Sequence, residues 1–295
     1  MSILQVVILA IVQGLAELLP VSSSAHVVVA EKLLGLDPSS PQMTLLLVML
    51  HTGTMFAVIA YFWNAWKGAY FSSTDAFKQF AVRAVWATVL TAVIGYPILF
   101  LIEKTMFKGA PHAEIELLFG RLDLVGIALF CAGVLILLAG LRESRIALDA
   151  KRGGSAASIT MAQAGWMGAV QGLCLPFRGF SRSGATISTG LLAGTGRERA
   201  ERFSFALAVI LTPPVVAREL LRLLKATHEA ASTGTPIDLH GSLGYALLGA
   251  VLSFAAGLAA LKWLSAWLEA GRWYLFGVYC IVASGVVLYL HHVGY

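Results

Sequence analysis

Six long, predominantly apolar runs limit what this chain can become. They fall at about 43–64, 80–103, 122–141, 202–224, 242–267 and 272–291. Each reaches the roughly 20 residues that a helix needs to cross a bilayer core. Of the 295 residues, 58% are hydrophobic and 13% charged, with a mean hydropathy of +0.79. A soluble domain carries about 25% charged residues, so the chain reads as an integral membrane protein. Runs of this length point to helices, since a transmembrane barrel would show short alternating strands. The net charge of +5 calls for no nucleic acid. Lys and Arg collect in the loops, as membrane topology requires. Cys131, Cys174 and Cys280 lie in apolar segments without metal-ligand spacing and read as buried small hydrophobes. The N-terminus lacks a basic region and a clear cleavage site, so residues 1–19 read as retained structure.

Four shorter pieces break the pattern. The first, 2–19, stops at Pro20, which cannot continue a helical hydrogen-bond ladder, and the second, 24–34, ends at Gly35, a helix C-cap. A second pair, 160–175 and 183–195, flanks Pro176 and Ser181-Arg182-Ser183-Gly184. Each pair predicts a re-entrant helical hairpin, a form tolerated at membrane depth only where protein covers it or it lines a cavity. The order is hairpin, three spans, hairpin, three spans, in a single all-α membrane domain with halves at about 1–141 and 158–295. The halves echo each other. Gln13-Gly14-Leu15 matches Gln171-Gly172-Leu173, and Leu50-His51-Thr52-Gly53-Thr54 has a loose counterpart in Leu211-Thr212-Pro213-Pro214. An odd number of spans per half gives an inverted repeat, with a site expected at its interface near mid-membrane.

The segment from Ala226 to Gly241, with Gly234, Pro236 and Asp238, reads as an external loop. One side of the predicted topology holds Lys67, Lys78, Arg142, Arg145, Lys151, Arg152, Arg197, Arg199, Arg202 and Arg272; the other holds Lys104, Lys108, Arg121 and Lys225. The richer side is expected to be cytoplasmic, with both termini outside and the two hairpins entering from opposite faces to meet at their tips.

The chemistry-bearing residues sit at those tips. Gln13 and Glu17, four apart, share one helix face. Ser22, Ser23 and Ser24 stand where the second short helix begins, and one of them serves as its N-cap. His26 is in the first turn of that helix, where it either joins the site or simply bonds a nearby carbonyl. The second tip reads Arg178-Gly179-Phe180-Ser181-Arg182-Ser183-Gly184-Ala185-Thr186. An Arg at membrane depth needs an anion, and its fork suits a phosphate. Ser181 or Ser183 can cap the following helix, whose N-terminus with an adjacent Arg is an anion site. The alternative is that Arg182 only pairs with Glu17 as a structural ion pair. A phosphate anchor facing a nucleophile and a base fits phosphoryl transfer, and a site open to the membrane makes a lipid phosphate the natural substrate. The chain has no GxxxxGK[ST] loop, so it does not read as an ATPase.

Gln13 to His26 resembles the [E/Q]-x-x-x-E-x-x-P-V-S-S-[ST]-x-H motif of the bacitracin-resistance type of undecaprenyl-diphosphate phosphatase. Ser181 to Thr186 resembles that family's second motif, PG-x-SRSG-[AV]-T, and the runs Arg199 to Phe205 and His51 to Thr54 are also similar to it. The resemblance covers nearly the whole chain in order. It implies six spans plus two re-entrant hairpins in the bacterial inner membrane, with the active site facing the periplasm. It also implies a polyprenyl diphosphate substrate, a divalent cation (Mg or Ca) near Glu17, and an assembly compatible with a homodimer. Carried over, Gln13 and Glu17 take the acidic-motif positions, Ser23 is the nucleophile, His26 a catalytic partner and Arg182 the phosphate anchor. Ser22, Ser24, Ser181, Ser183, Gly184 and Thr186 complete the phosphate pocket. Three departures stand out: Gln13 replaces the commoner Glu, Ala25 replaces Gly, and Arg178-Gly179 replaces Pro-Gly. Arg178 is then either a second phosphate contact or a change in the turn.

The expected reaction is attack by Ser23 on the terminal phosphorus, with Glu17 or His26 taking its proton. An exchange of the Ser23 and His26 roles stays open. The rival from another class is a transporter or flippase of an anionic lipid, for which inverted repeats are the usual architecture. A carrier would need the Arg and the helix ends but no aligned nucleophile and base. A third reading is a membrane resistance factor with a lapsed site.

Overall fold

The computed structural model describes the chain except residues 107–117, 119, 150–157, 233–238 and 269–271. The side chains of 106, 143–149, 229–232, 239 and 263–268 also lie outside the description. Lys108, Lys151, Arg152, Gly234, Pro236, Asp238 and the Arg145 side chain are therefore outside the described residues.

Among the described residues the regular elements are all helices: α1 Ile3–Glu17, α2 Ser23–Leu33, α3 Pro41–Tyr70, α4 Thr74–Met106, α5 Leu122–Asp149, α6 Met161–Cys174, α7 Arg182–Leu192, α8 Arg197–Ser232, α9 Leu239–Leu268 and α10 Trp273–His292. The six longest apolar stretches, in α3, α4, α5, α8, α9 and α10, can each cross a membrane by length and composition. The helices α4 and α8 run through Pro97 and Pro213-Pro214 respectively. Prolines inside a membrane helix are tolerated where neighbouring groups take up the backbone atoms they release.

The short helices form two pairs built alike. Ser2 and Gln5 make a capping box at the start of α1, and Thr160 and Gln163 make one at the start of α6. Gln5 Nε2 then donates to the carbonyl of Leu34, the last cap of α2, at 3.2 Å, while Gln163 Nε2 donates to that of Ala193, the last cap of α7, at 3.1 Å. Gly35 and Gly194 follow those caps with φ of 71° and 83°, a left-handed conformation that ends a helix cheaply only in glycine. The first helix stops at Glu17, short of the apolar run, because Leu18 to Val21 form the turn that Pro20 enforces.

The helix α1 packs on α9, α6 on α4, α5 on α10, and α3 on both α8 and α9. Small residues let the backbones close, which is how helices associate where no hydrophobic force separates them from lipid. A Cβ on Gly53 would stand 2.0 Å from the Ala250 carbonyl oxygen, and one on Gly168 would stand 2.2 Å from that of Ala87. Each of the two ends of the bundle is tied by cross-helix contacts. At one end Trp66 Nε1 donates to the Arg202 carbonyl at 3.1 Å, the Arg197 guanidinium lies 4.8 Å from the Trp273 ring, and Arg142 donates to the Leu192 carbonyl at 2.8 Å. At the other, Arg222 donates to Thr44 Oγ1 at 2.9 Å.

Two local expectations change. Much of the segment from Ala226 is helical, because α8 continues to Ser232 and α9 begins at Leu239. Ala and Glu favour helix there, and Thr227 returns its hydroxyl to the Leu223 carbonyl at 2.8 Å. Of the cysteines, only Cys280 is buried; Cys174 is half-buried and Cys131 is exposed, on the outer face of α5. A small apolar thiol is as well accommodated by lipid as by a core.

Candidate active site

The turn between α1 and α2 sets the geometry. Glu17 is the last residue of α1 and Ser23 the first of α2. Between them Ser22 has φ 65°, the one positive value at a non-glycine residue among those described. Its hydroxyl caps α2 by accepting from the Ala25 N–H at 3.4 Å. This left-handed step folds Ser23 back so that its Oγ donates to Glu17 Oε2. One helical turn earlier, Gln13 Nε2 donates to the same oxygen at 2.8 Å.

The second tip supplies the other carboxylate oxygen. Ser181 caps α7 by accepting from the Gly184 N–H at 3.1 Å, and Arg182, the first residue of α7, donates Nη2 to Glu17 Oε1 at 2.7 Å. The two tips touch: a Cβ on Gly184 would meet the Pro20 carbonyl oxygen at 3.1 Å. From α3, His51 brings Nε2 to 3.4 Å from Glu17 Oε2, while its Nδ1 donates to the Leu47 carbonyl at 2.8 Å. A carboxylate removed from water needs such partners. Glu17, with 10% of its side chain exposed, has a guanidinium, a hydroxyl, an amide and an imidazole around it.

Beside them lies a small cleft. Its polar wall is Glu17, Arg182, His51, Thr54 and Thr212; its apolar wall includes Met55, Val58, Phe205 and Val209. Thr54 and Thr212 turn their hydroxyls to carbonyls of their own helices, at 3.0 Å to His51 and 2.8 Å to Ala208. Pro213 and Pro214 have no N–H to offer, so Val209 and Ile210 lack their usual helical donors beside this cleft.

The structure thus brings Gln13, Glu17, Ser23 and Arg182 together, with Ser22, Ser181 and Gly184 shaping the turns. His26, Ser24 and Thr186 make their hydrogen bonds away from Glu17. His26 Nδ1 lies 2.8 Å from the Ser22 carbonyl and Nε2 lies 2.6 Å from Tyr279 Oη, so neither ring nitrogen addresses Ser23. Ser24 Oγ is 3.4 Å from Ser22 Oγ. Thr186 donates to the Arg182 carbonyl at 2.8 Å and lies 2.5 Å from Ser204 Oγ, which fastens α7 to α8. Ser183 is buried. Arg178 is within electrostatic reach of the fully buried Glu31 and of His51. His51 lies in the run that resembles the family, but the sequence gives it no role in the site; its contact with Glu17 is seen only in the fold.

A divalent cation does not fit this cluster as a protein-built site. Mg and Ca take several oxygen ligands, carboxylates foremost. Glu17 offers the carboxylate here, but Arg182 holds one of its oxygens and Gln13 and Ser23 hold the other. Among the described residues no three His, Cys, Asp or Glu side chains converge on one point. The buried Gln13 Oε1, which has no hydrogen-bond partner, is a lone neutral donor.

Comparison with known proteins gives a consistent picture. The family described as bacitracin resistance protein BacA matches residues 6–286. A protein of Acinetobacter baylyi named undecaprenyl-diphosphatase 2 is 58% identical over 291 residues, 98% of each chain. Another of that name, from Burkholderia orbicola, is 35% identical over 96% of this chain and 95% of its own. An undecaprenyl-diphosphatase of Desulfosudis oleivorans is 33% identical over 98% of this chain and 99% of its own.

Proposed function

We infer the function from one premise: this chain belongs to the bacitracin resistance protein BacA family. It is a membrane phosphatase that hydrolyses undecaprenyl diphosphate to undecaprenyl phosphate and inorganic phosphate, the activity for which its 58% identical relative is named. The product is the carrier lipid of peptidoglycan synthesis. The observation that carries the reading is the two-sided use of Glu17. A hydroxyl sits on one oxygen and a guanidinium on the other, and Glu17 and Arg182 both line one cleft.

The diphosphate head lies in the cleft, with its tail in lipid. Arg182 and the N-terminus of α7 neutralise the phosphate charge. Glu17 takes the Ser23 proton as Oγ attacks the terminal phosphorus. The bond to the bridging oxygen breaks, and undecaprenyl phosphate leaves with the electron pair. Water then attacks the phosphoserine, the Oγ–phosphorus bond breaks, inorganic phosphate departs, and Glu17 returns a proton to Ser23. Ser23 is preferred to His26 as nucleophile because its oxygen already donates to a base, whereas both His26 nitrogens are engaged. His51, whose Nδ1 proton goes to the Leu47 carbonyl, faces Glu17 with Nε2 and stabilises its charge only as the doubly protonated imidazolium. No step is assigned to a divalent cation.

In this reading the α1–α2 and α6–α7 pairs are re-entrant hairpins of an inverted repeat in the bacterial inner membrane, and the site opens to the periplasm. The matched capping boxes and return bonds of the two pairs support it. A transporter shares that architecture but gives no reason for a serine hydroxyl seated on a carboxylate.

The test is phosphate release from undecaprenyl diphosphate by detergent-solubilised protein, where no gradient exists to drive transport. Wild type is expected to turn over, and Ser23→Ala to lose on the order of 10⁶-fold in kcat, as removal of a serine nucleophile does. Near-wild-type turnover in Ser23→Ala would move the nucleophile elsewhere. Absence of release by wild type would end the phosphatase reading.

A further inference from the structure

We propose that Tyr279 is a positioning residue for the phosphatase reaction, acting through His26 to hold the strained turn that presents Ser23. The proposal rests on the phosphatase reading. The chain of contacts begins at the phenol: Tyr279 Oη lies 2.6 Å from His26 Nε2, and the two rings stack with centroids 5.7 Å apart and planes 9° from parallel. His26 Nδ1 lies 2.8 Å from the Ser22 carbonyl oxygen, which also accepts the His26 backbone N–H at 3.3 Å.

Chemistry fixes the direction of these bonds. A carbonyl oxygen only accepts, so Nδ1 carries the ring proton; in the neutral ring Nε2 then accepts, and the Tyr279 hydroxyl donates. The imidazole is thereby a strut between α10 and the Ser22 peptide rather than a base facing the nucleophile.

The strut has something to hold. Ser22 takes φ 65° without being glycine, a conformation that persists only where the surroundings impose it. That conformation sends Ser23 Oγ onto Glu17. Tyr279 has 47% of its surface exposed on the outer side of α10, where an unpaired phenol hydroxyl in lipid would be unfavourable. His26 is its partner, so both ends of the strut are satisfied only when the turn is in place.

Tyr279→Phe keeps the ring and removes the donor. Its kcat for phosphate release is expected to fall about 10-fold to 10²-fold, the scale of a misplaced reacting group, with KM within about twofold of wild type. In the Tyr279→Phe background, Ser22→Gly is expected to recover part of kcat, because glycine holds the left-handed conformation without a strut. A second readout needs no turnover. Diethyl pyrocarbonate modification of His26, followed by peptide mass spectrometry, is expected to quicken several-fold in Tyr279→Phe, while His51 in the same sample keeps its rate. Wild-type kcat in Tyr279→Phe, a rise in KM alone, or unchanged His26 labelling would each overturn the proposal. Failure of wild type itself to release phosphate would instead overturn the phosphatase reading and leave the labelling result to judge the strut.

Discussion

Gln13 and Glu17 meet one turn apart in α1, and the amide of the first donates to the carboxylate of the second at 2.8 Å. Gln13→Glu replaces that donor with a second acceptor carrying charge. Two unit charges about 4 Å apart repel by roughly 4 kcal/mol at an effective dielectric near 20, enough to recruit a shared proton or cation. Phosphate release by Gln13→Glu in excess chelator is therefore expected to fall by about 10-fold or more, as one order of magnitude follows from each 1.4 kcal/mol. Titration with Mg or Ca is expected to restore it, with a steeper response than the parent shows. Superimposable cation titrations for parent and variant would refute the idea. At this scale much of the site was legible. Gln13, Glu17, Ser23 and Arg182 stand out because polar groups in apolar segments are expensive without partners. His51 was not, because a lone imidazole in a span can be satisfied by its own helix, as the Leu47 carbonyl does in part. Nor was the heading of His26, which depends on Tyr279 some 253 positions away.

Elements place these residues with a regularity that single motifs hide. Ser23 opens α2 and Arg182 opens α7, each after a serine cap, so nucleophile and anchor hold corresponding places in two similarly built pairs. The helix α3 carries His51 to the site while its own face closes on α9 through Gly53. Since a Cβ there would stand 2.0 Å from the Ala250 carbonyl oxygen and 2.2 Å from Ser253 Oγ, Gly53→Leu must push α3 away. Overpacking of this kind costs typically about 1–3 kcal/mol, and it would displace His51 two residues earlier. A lower melting temperature in detergent and a reduced kcat are expected together. Gly68→Ala in the same helix is the control, because a Cβ at Gly68 meets nothing within 4 Å. It is expected to match or exceed wild-type stability by roughly 0.5–1 kcal/mol, the usual gain from replacing a helical glycine. Equal melting temperatures for the two variants would show that the α3–α9 contact does not govern the site. The helix count and order were readable from the apolar runs; the α3–α9 approach was not, because a glycine in a span does not name the carbonyl it will face.

Across the whole molecule, the direction proposed for the chain rests on where its basic residues lie. Trp66, Arg142, Arg197, Arg202 and Trp273 gather at one end of the bundle, where the ends of α3, α5, α8 and α10 meet. That end also receives Lys67 of α3 and Lys78 of α4. Basic residues within short loops are retained on the cytoplasmic side. Six spans and two returning hairpins would then leave both termini outside, with the Ser23–Glu17–Arg182 cluster accessible from the periplasm. Single cysteines distinguish the arrangements once Cys131, Cys174 and Cys280 are replaced. Tyr295→Cys, in the exposed last residue, is expected to react in intact cells with a thiol reagent that cannot cross the inner membrane. Ser72→Cys, between α3 and α4, is expected to react only after the membrane is permeabilised. The reverse labelling pattern would turn the molecule over and give the cleft to the cytoplasmic leaflet. Labelling of both sites in intact cells would break the six-span topology itself, since an odd number of crossings separates residues 72 and 295 in the arrangement drawn from these helices.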